Sequence, residues 1–297
     1  MTGRFGRVLT AMVTPFDDDG ALDLDGARTL ARYLADHGND GLVVAGTTGE
    51  APVLTDDEKL ALWAAVAEAV TIPVIAGTGT NDTAHSVHLT REASRLGVAG
   101  VLVVTPYYNR PSQHGLEGHF RAVAAATELP VMVYDIPIRT GRKVSSALLG
   151  TLAREVPNVV AVKDAAGNPA ETAVVLAHAP AGFECYSGDD ALTLPLLAVG
   201  AVGVVGVATH WSAIDHQEMI TAFEKGDVGA ARAVNARLLP SFAFETGDDA
   251  PNPVPTKAML RVLGLPGGQC RLPMGDAPDW VEPKARQVLA DLQAARG

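Results

Sequence analysis

The sequence is poor in cysteine, aromatic rings, basic charge and long apolar runs, and each scarcity removes a class of protein. Only two cysteines, Cys185 and Cys270, occur among 297 residues. They form neither a CxxC pair nor a metal-type spacing, so no disulfide framework is expected and both thiols should stay reduced, as in a cytoplasmic protein. Lys and Arg number 23 against 34 Asp and Glu, a formal charge of −11. Such a surface repels nucleic-acid phosphates and anionic headgroups, so neither a nucleic-acid nor a membrane partner is expected. A few arginines in a cleft can still dominate the field there. The longest apolar run, residues 194–208, carries Pro195, Gly200, Gly203 and Gly206 and falls short of the ~18 residues a membrane helix needs. It reads as a helix end, a turn and a buried strand. The N-terminal apolar stretch is too short for a secretory signal, and none is expected. No HExxH motif occurs; His85/His88 and His114/His119 fall in helical stretches expected to be solvated, so no metal site is expected.

What the chain does have is aliphatic content: 47% of residues are hydrophobic and only 5% aromatic. Short β-branched runs recur at 7–13, 41–46, 73–77, 100–104, 130–134, 158–163, 183–187 and 203–208. Helix-period segments lie between them at 24–37, 56–70, 84–96, 116–127, 145–155 and 169–179. Runs continuously apolar suit parallel strands covered on both faces, and eight βα units predict an α/β fold, a (β/α)8 TIM barrel. A doubly wound open sheet is the alternative, but no GxGxxG follows the first strand. Further helical patterns at 214–225, 230–239, 256–263 and 283–295 exceed what one closing helix requires. Residues 1–225 are therefore expected to form the barrel and 226–297 a small C-terminal helical subdomain.

In a barrel the loops after the strands build the active face. Lys163 directly follows the apolar run Val159-Val160-Ala161-Val162 and should project into the barrel mouth. A lysine so placed is a candidate Schiff-base nucleophile, because burial disfavours its cation. A structural pairing with Asp164 or Glu184 accounts for it equally simply. Gly46-Thr47-Thr48-Gly49 offers two hydroxyls and close backbone approach, suited to a carboxylate or a proton relay, or else an ordinary glycine turn. Tyr107, Tyr108 and Tyr134 stand at strand ends, as acid–base groups or as rim packing. Arg139 has the fork to grip a carboxylate, or a surface ion pair to make. Asp189-Asp190 are adjacent and point apart, so a turn or capping role is expected.

Taken together these motifs resemble the dihydrodipicolinate synthase family of Schiff-base pyruvate aldolases, the wider group that includes the N-acetylneuraminate lyases. The resemblance spans nearly the whole chain and adds Val13-Thr14-Pro15-Phe16, Ala76-Gly77-Thr78-Gly79, Ser187-Gly188-Asp189-Asp190 and Pro251-Asn252-Pro253-Val254-Pro255. It implies a lyase that condenses pyruvate with L-aspartate 4-semialdehyde through a covalent Schiff base on Lys163, without another cofactor, giving 4-hydroxy-tetrahydrodipicolinate for lysine and diaminopimelate biosynthesis. By the same resemblance Thr47, Tyr134 and Tyr108 form a proton relay. Thr48 then contacts the pyruvate carboxylate, Arg139 the semialdehyde carboxylate, and Gly188 and Val205 line the site by backbone. Tyr108 is implied to reach a neighbouring subunit's site, within a homotetramer built as a dimer of dimers. Arg139 and the Gly-Thr-Thr-Gly-Glu run separate the chain from N-acetylneuraminate lyases.

Two departures stand out. Ile138 occupies a place where Gly or Ser is usual, which favours, as the alternative, a paralogous aldolase with another aldehyde and an altered entrance. A non-catalytic pyruvate-binding protein is the third reading, opposed by retention of Lys163, Tyr134, Tyr108 and Thr47 together. Lysine-inhibited relatives commonly carry His and Glu at the positions of Lys59 and His85, and Ser near Ala51. A cationic Lys59 repels an amino-acid ammonium, so feedback by lysine is expected to be weak or absent.

Overall fold

Eight short strands close into one parallel barrel in chain order, β8 pairing back onto β1. They are β1 (Val8–Ala11), β2 (Gly41–Val44), β3 (Val74–Gly77), β4 (Gly100–Val104), β5 (Val131–Asp135), β6 (Val159–Asp164), β7 (Glu184–Ser187) and β8 (Gly203–Gly206). The computed structural model describes residues 3–296, so residues 1, 2 and 297 of the two expected units lie outside the described residues. Every strand is almost wholly buried, as a sheet with an interior face and a helix-covered face requires. The interior is filled by Leu9, Val43, Ile75, Leu102, Met132, Ala161, Tyr186 and Val205, with Phe5 among them. This is a packed core rather than a pore.

The helices of the barrel are α1 (Leu24–Asp36), α2 (Asp56–Ala69), α3 (Thr83–Ala93), α4 (Gln113–Ala124), α5 (Pro137–Thr140), α6 (Ser146–Glu155), α7 (Pro169–His178), α8 (Thr193–Leu197) and α9 (Thr209–Glu224). Their starts follow capping chemistry. Asp23 caps α1, and Thr55 with Glu58 makes a reciprocal capping box on α2. Apolar faces of α1 to α4 and α6 pack on the strands through Leu30, Leu34, Leu62, Trp63, Leu89, Phe120 and Leu152. The short helices α5 and α8 escape a reading by periodicity because neither spans two turns. His119 corrects an expectation: it is buried on α4 against Thr83 Oγ1 at 3.0 Å, and burial draws its imidazole down to about 4, leaving it neutral.

After the barrel come α10 (Val228–Phe244), α11 (Val254–Val262) and α12 (Val281–Arg296). They share an apolar core with α9, in which Trp211 and Met219 meet Leu238, Phe242, Met259, Val288 and Leu292. The C-terminal part is also clamped to the loop after β2. Lys257 Nζ lies 2.7 Å from Glu50 Oε1 and 4.1 Å above the Phe16 ring, while the Arg271 amide donates to Glu50 Oε2. Both members of the Lys257–Glu50 pair are buried, so removing one leaves an uncompensated charge and loosens this joint.

Candidate active site

Tyr134 and Lys163 are register partners on β5 and β6, so both leave the sheet at one level at the C-terminal end of the barrel. The Lys163 ammonium lies 4.4 Å above the Tyr134 ring centre, and both side chains are buried. The pairing alternative for Lys163 is not what the fold uses. Asp164 accepts from Thr172 Oγ1 and the Ala166 amide, and Glu184 from the Arg4 amide and the Tyr186 hydroxyl. Burial, aided by Arg139 and opposed by Asp190 and Glu245, draws Lys163 down to about 8. The same burial pushes the Tyr134 phenol up to about 12 against a hydrogen bond from Thr47 and the Arg139 charge. The result is a weakly basic amine beside a tyrosine that stays protonated and is linked to Thr47.

Thr47, Tyr134 and Arg139 open on one cavity of about 450 Å³, which Leu102 and Ile136 line on the apolar side. Arg139 sits there because Pro137 starts α5 immediately after β5. Gly188 lies against Lys163: a Cβ there would stand 3.0 Å from its Cγ and Cε, a tight contact that glycine avoids. Thr48 is buried one residue beyond Thr47, its hydroxyl accepting from Asn252 Nδ2 at 2.9 Å. Val205 is fully buried in the barrel interior beneath the mouth.

Tyr108 is not brought to this cluster. It stands 90% exposed at a left-handed φ of +72°, while its neighbour Tyr107 turns inward and lines the cavity. Bulky residues adopt that backbone region only where surroundings enforce it. Ile138 also points away: it is 90% exposed, and the cavity wall is made by Ile136 and Arg139 on either side of it, so its branch does not narrow the cavity in this chain. The cavity continues past Tyr107 to Asp56, Lys59 and His85. His85 Nε2 lies 2.9 Å from both Asp56 oxygens and Lys59 Nζ 3.9 Å from one of them.

Three polar residues near the site escape a reading of the sequence. Asp189 caps Ala191 as expected, but Asp190 is fully buried and takes the Val207 amide at 2.8 Å, which is more than a turn role. Glu245 reaches in from the end of α10 to accept the Ala208 amide at 3.0 Å, and Asn252 holds Thr48. Nothing local marks these residues, since their partners lie 17, 37 and 204 positions away.

The sequence and the fold are shared with known proteins. Residues 4–292 match the dihydrodipicolinate synthetase family. A 4-hydroxy-tetrahydrodipicolinate synthase of Moorella thermoacetica is 55% identical over 275 residues, 91% of this chain and 92% of that one. Its counterpart in Acidothermus cellulolyticus is 55% identical over 290 residues, 96% of this chain and 92% of the relative. The crystal structure of the synthase from Cyanidioschyzon merolae with lysine bound superposes with a TM-score of 0.95 at 42% identity, covering 98% of this chain and 99% of that one. Whole-length identity at this level, on a barrel whose mouth holds a buried lysine above a tyrosine, makes the chain a member of the dihydrodipicolinate synthetase family.

Proposed function

We propose that the chain is a lyase that condenses pyruvate with L-aspartate 4-semialdehyde to 4-hydroxy-tetrahydrodipicolinate, in lysine and diaminopimelate biosynthesis, through a Schiff base on Lys163 and with no external cofactor. The observation that carries this reading is Lys163 itself, buried, free of Asp164 and Glu184, lowered to about 8, and 4.4 Å above the ring of Tyr134, which with Thr47 lines the cavity. The neutral amine attacks the pyruvate keto carbon, and the carbinolamine loses its oxygen as water to leave an iminium. Loss of a C3 proton gives the enamine, whose C3 attacks the aldehyde carbon to form the new C–C bond, the aldehyde oxygen taking up a proton. The substrate amino group then displaces the lysine as the ring closes, and Lys163 is regenerated.

Each proton in that sequence needs a carrier out of bulk water, and Tyr134 and Thr47 fill that role. Thr48 with its loop backbone takes the pyruvate carboxylate, Arg139 the semialdehyde carboxylate, and the Gly188 and Val205 backbones line the bound pyruvate. Reduction with borohydride in the presence of pyruvate tests the reading: the expected product is a reduced pyruvate adduct on the peptide containing Lys163. Absence of any adduct would sink it.

Tyr108 supports a two-fold assembly, because an exposed tyrosine held at positive φ is explained if Tyr108 of the partner subunit completes the Thr47–Tyr134 relay. In this proposal the tight dimer pairs again into a homotetramer. Sedimentation is expected to give a dimer or larger; a fully active monomer would contradict the assignment. The cytoplasm is the compartment proposed, consistent with two buried free thiols, Cys185 and Cys270. Among the described residues no helix is long and apolar enough to cross a membrane. Residues 1–225 and 226–297 are proposed as barrel and subdomain, the latter stabilised by the core it shares with α9.

Lysine is expected to inhibit weakly or not at all. Lys59 is buried beside Asp56 on the wall of the cavity, where its cation opposes a ligand ammonium, although burial lowers its pKa. Initial rates with and without millimolar lysine check this, and strong inhibition would reject it.

A further inference from the structure

At the ends of β7 and β8, next to the strand that carries Lys163, lies a buried group of ionisable residues that the aldol scheme does not use. Asp190 and His216 are fully buried and Glu245 nearly so. The two carboxyl groups come from different parts of the fold, Asp190 from the turn after β7 and Glu245 from the residue that ends α10, and they meet at one stretch of backbone. Their outer oxygens take consecutive amides at the end of β8: Val207 donates to Asp190 Oδ2 at 2.8 Å and Ala208 to Glu245 Oε2 at 3.0 Å. The inner oxygen of Asp190 lies 3.4 Å from His216 Nε2. His216 Nδ1 faces the Ser212 carbonyl at 2.9 Å, and a carbonyl only accepts, so Nδ1 bears the hydrogen. Gly206 leaves the room this requires, since a Cβ there would stand 2.5 Å from Asp190 Oδ1.

Two buried carboxyl groups held by consecutive amides cannot both keep a full charge out of water, so one of them keeps its proton. Glu245 is the member pushed far above the usual carboxylate range, by burial first and then by Asp190 and Asp189. Among the charges that act on Lys163, Asp190 is the strongest, ahead of Arg139.

We propose that Asp190 and Glu245 are a positioning pair for the Lys163 chemistry, in which Asp190 provides one anion to balance the iminium and Glu245, as the carboxylic acid, donates to Asp190 and holds it in place. The inference rests on Lys163 being the Schiff-base residue. The iminium carries a positive charge that the free amine lacks, and a fixed anion favours it without solvent having to reorganise. A second negative charge would keep the free lysine protonated, and the retained proton prevents that. The C-terminal helices thereby contribute to the barrel's site: α10 ends where Glu245 can reach Asp190.

The groups facing the pair are Lys163 on β6, Asp189 in the same turn as Asp190, and His210 and His216 on α9. His210 is drawn down to about 4 by burial and so stays neutral across the working range. The test is the pH dependence of kcat/KM for pyruvate, together with borohydride trapping, on the full-length protein. Asp190 holds the Lys163 cation, so D190N is expected to move the acid limb to lower pH by about half a unit or more and to cut adduct formed at subsaturating pyruvate about threefold or more. In E245Q the amide can still donate to Asp190 and accept from Ala208, so the limb should stay while kcat falls by no more than about fivefold. The limb is a midpoint within each variant, so a misfolded fraction does not move it. A limb in D190N that coincides with wild type overturns the proposal, as does one that moves as far in E245Q. Should D190N fail to fold, E245Q alone decides, a shifted limb counting against the pair. A wild-type protein that traps no pyruvate overturns the Lys163 reading itself, whereas trapping in wild type with unmoved limbs overturns only the pair.

Discussion

Lys163→Ala is expected to lower pyruvate-dependent turnover by about 10³-fold or more while the barrel stays folded, because the covalent route through the amine beside Tyr134 is lost. Lys163 lies at the end of a strand whose pairing is carried by backbone, and truncating it removes a buried polar side chain rather than core volume. Thermal unfolding should therefore move far less than activity. The wild-type pH profile follows from the same site. Burial lowers Lys163 to about 8, and the nucleophile is the neutral amine, so kcat/KM for pyruvate should rise with pH through about 8 and level off above it. At pH 7 about a tenth of a group with that pKa is neutral, several hundred times the share of an ordinary lysine. A profile flat down to pH 6, with about 1% of such a group neutral, would mean that another residue sets the rate.

Tyr134→Phe is the second large effect. The substitution keeps the ring beneath Lys163 and its packing among Met132, Ile136 and Ala161, but removes the hydroxyl that Thr47 reaches. Loss of a positioned acid–base group costs about 10² to 10⁴ in rate, so kcat should fall within that range. KM for pyruvate should change little, since the ring and the Lys163 amine remain. The discriminating comparison is Thr47→Val. If the two hydroxyls act in series, the double variant is little worse than Tyr134→Phe alone; independent losses that multiply would break the relay.

Much of the fold and site is legible from the residues alone. The eight strands match the eight apolar runs to within two residues at either end, because a parallel barrel strand buried on both faces is spelled mainly in aliphatic residues. Residues at the ends of those runs or directly after them, Thr47, Tyr134 and Lys163, converge because a barrel collects all its strand ends at one mouth. What the sequence hides has a common cause. Asp190, Glu245 and Asn252 act through partners distant in the chain, and their neighbours show only turn and loop composition. Tyr107 and Tyr108 carry the same side chain, and only the positive φ at Tyr108 sends one inward and the other to the surface. The burial of His119 follows from its place on the apolar face of α4, between Leu116 and Val123 and next to Phe120, where residue type alone suggests solvent. Ile138 stands out by its identity and not by its direction, which the short α5 turns outward.

The aldehyde is the central claim, and one assay addresses it. Wild-type protein is given pyruvate and L-aspartate 4-semialdehyde, and product is followed through dihydrodipicolinate reductase by NADPH oxidation. The expected result is turnover that needs both substrates and disappears in Lys163→Ala. A wild-type protein that forms the borohydride-trapped pyruvate adduct yet consumes no semialdehyde would contradict the claim, and would assign the same lysine to a different aldehyde.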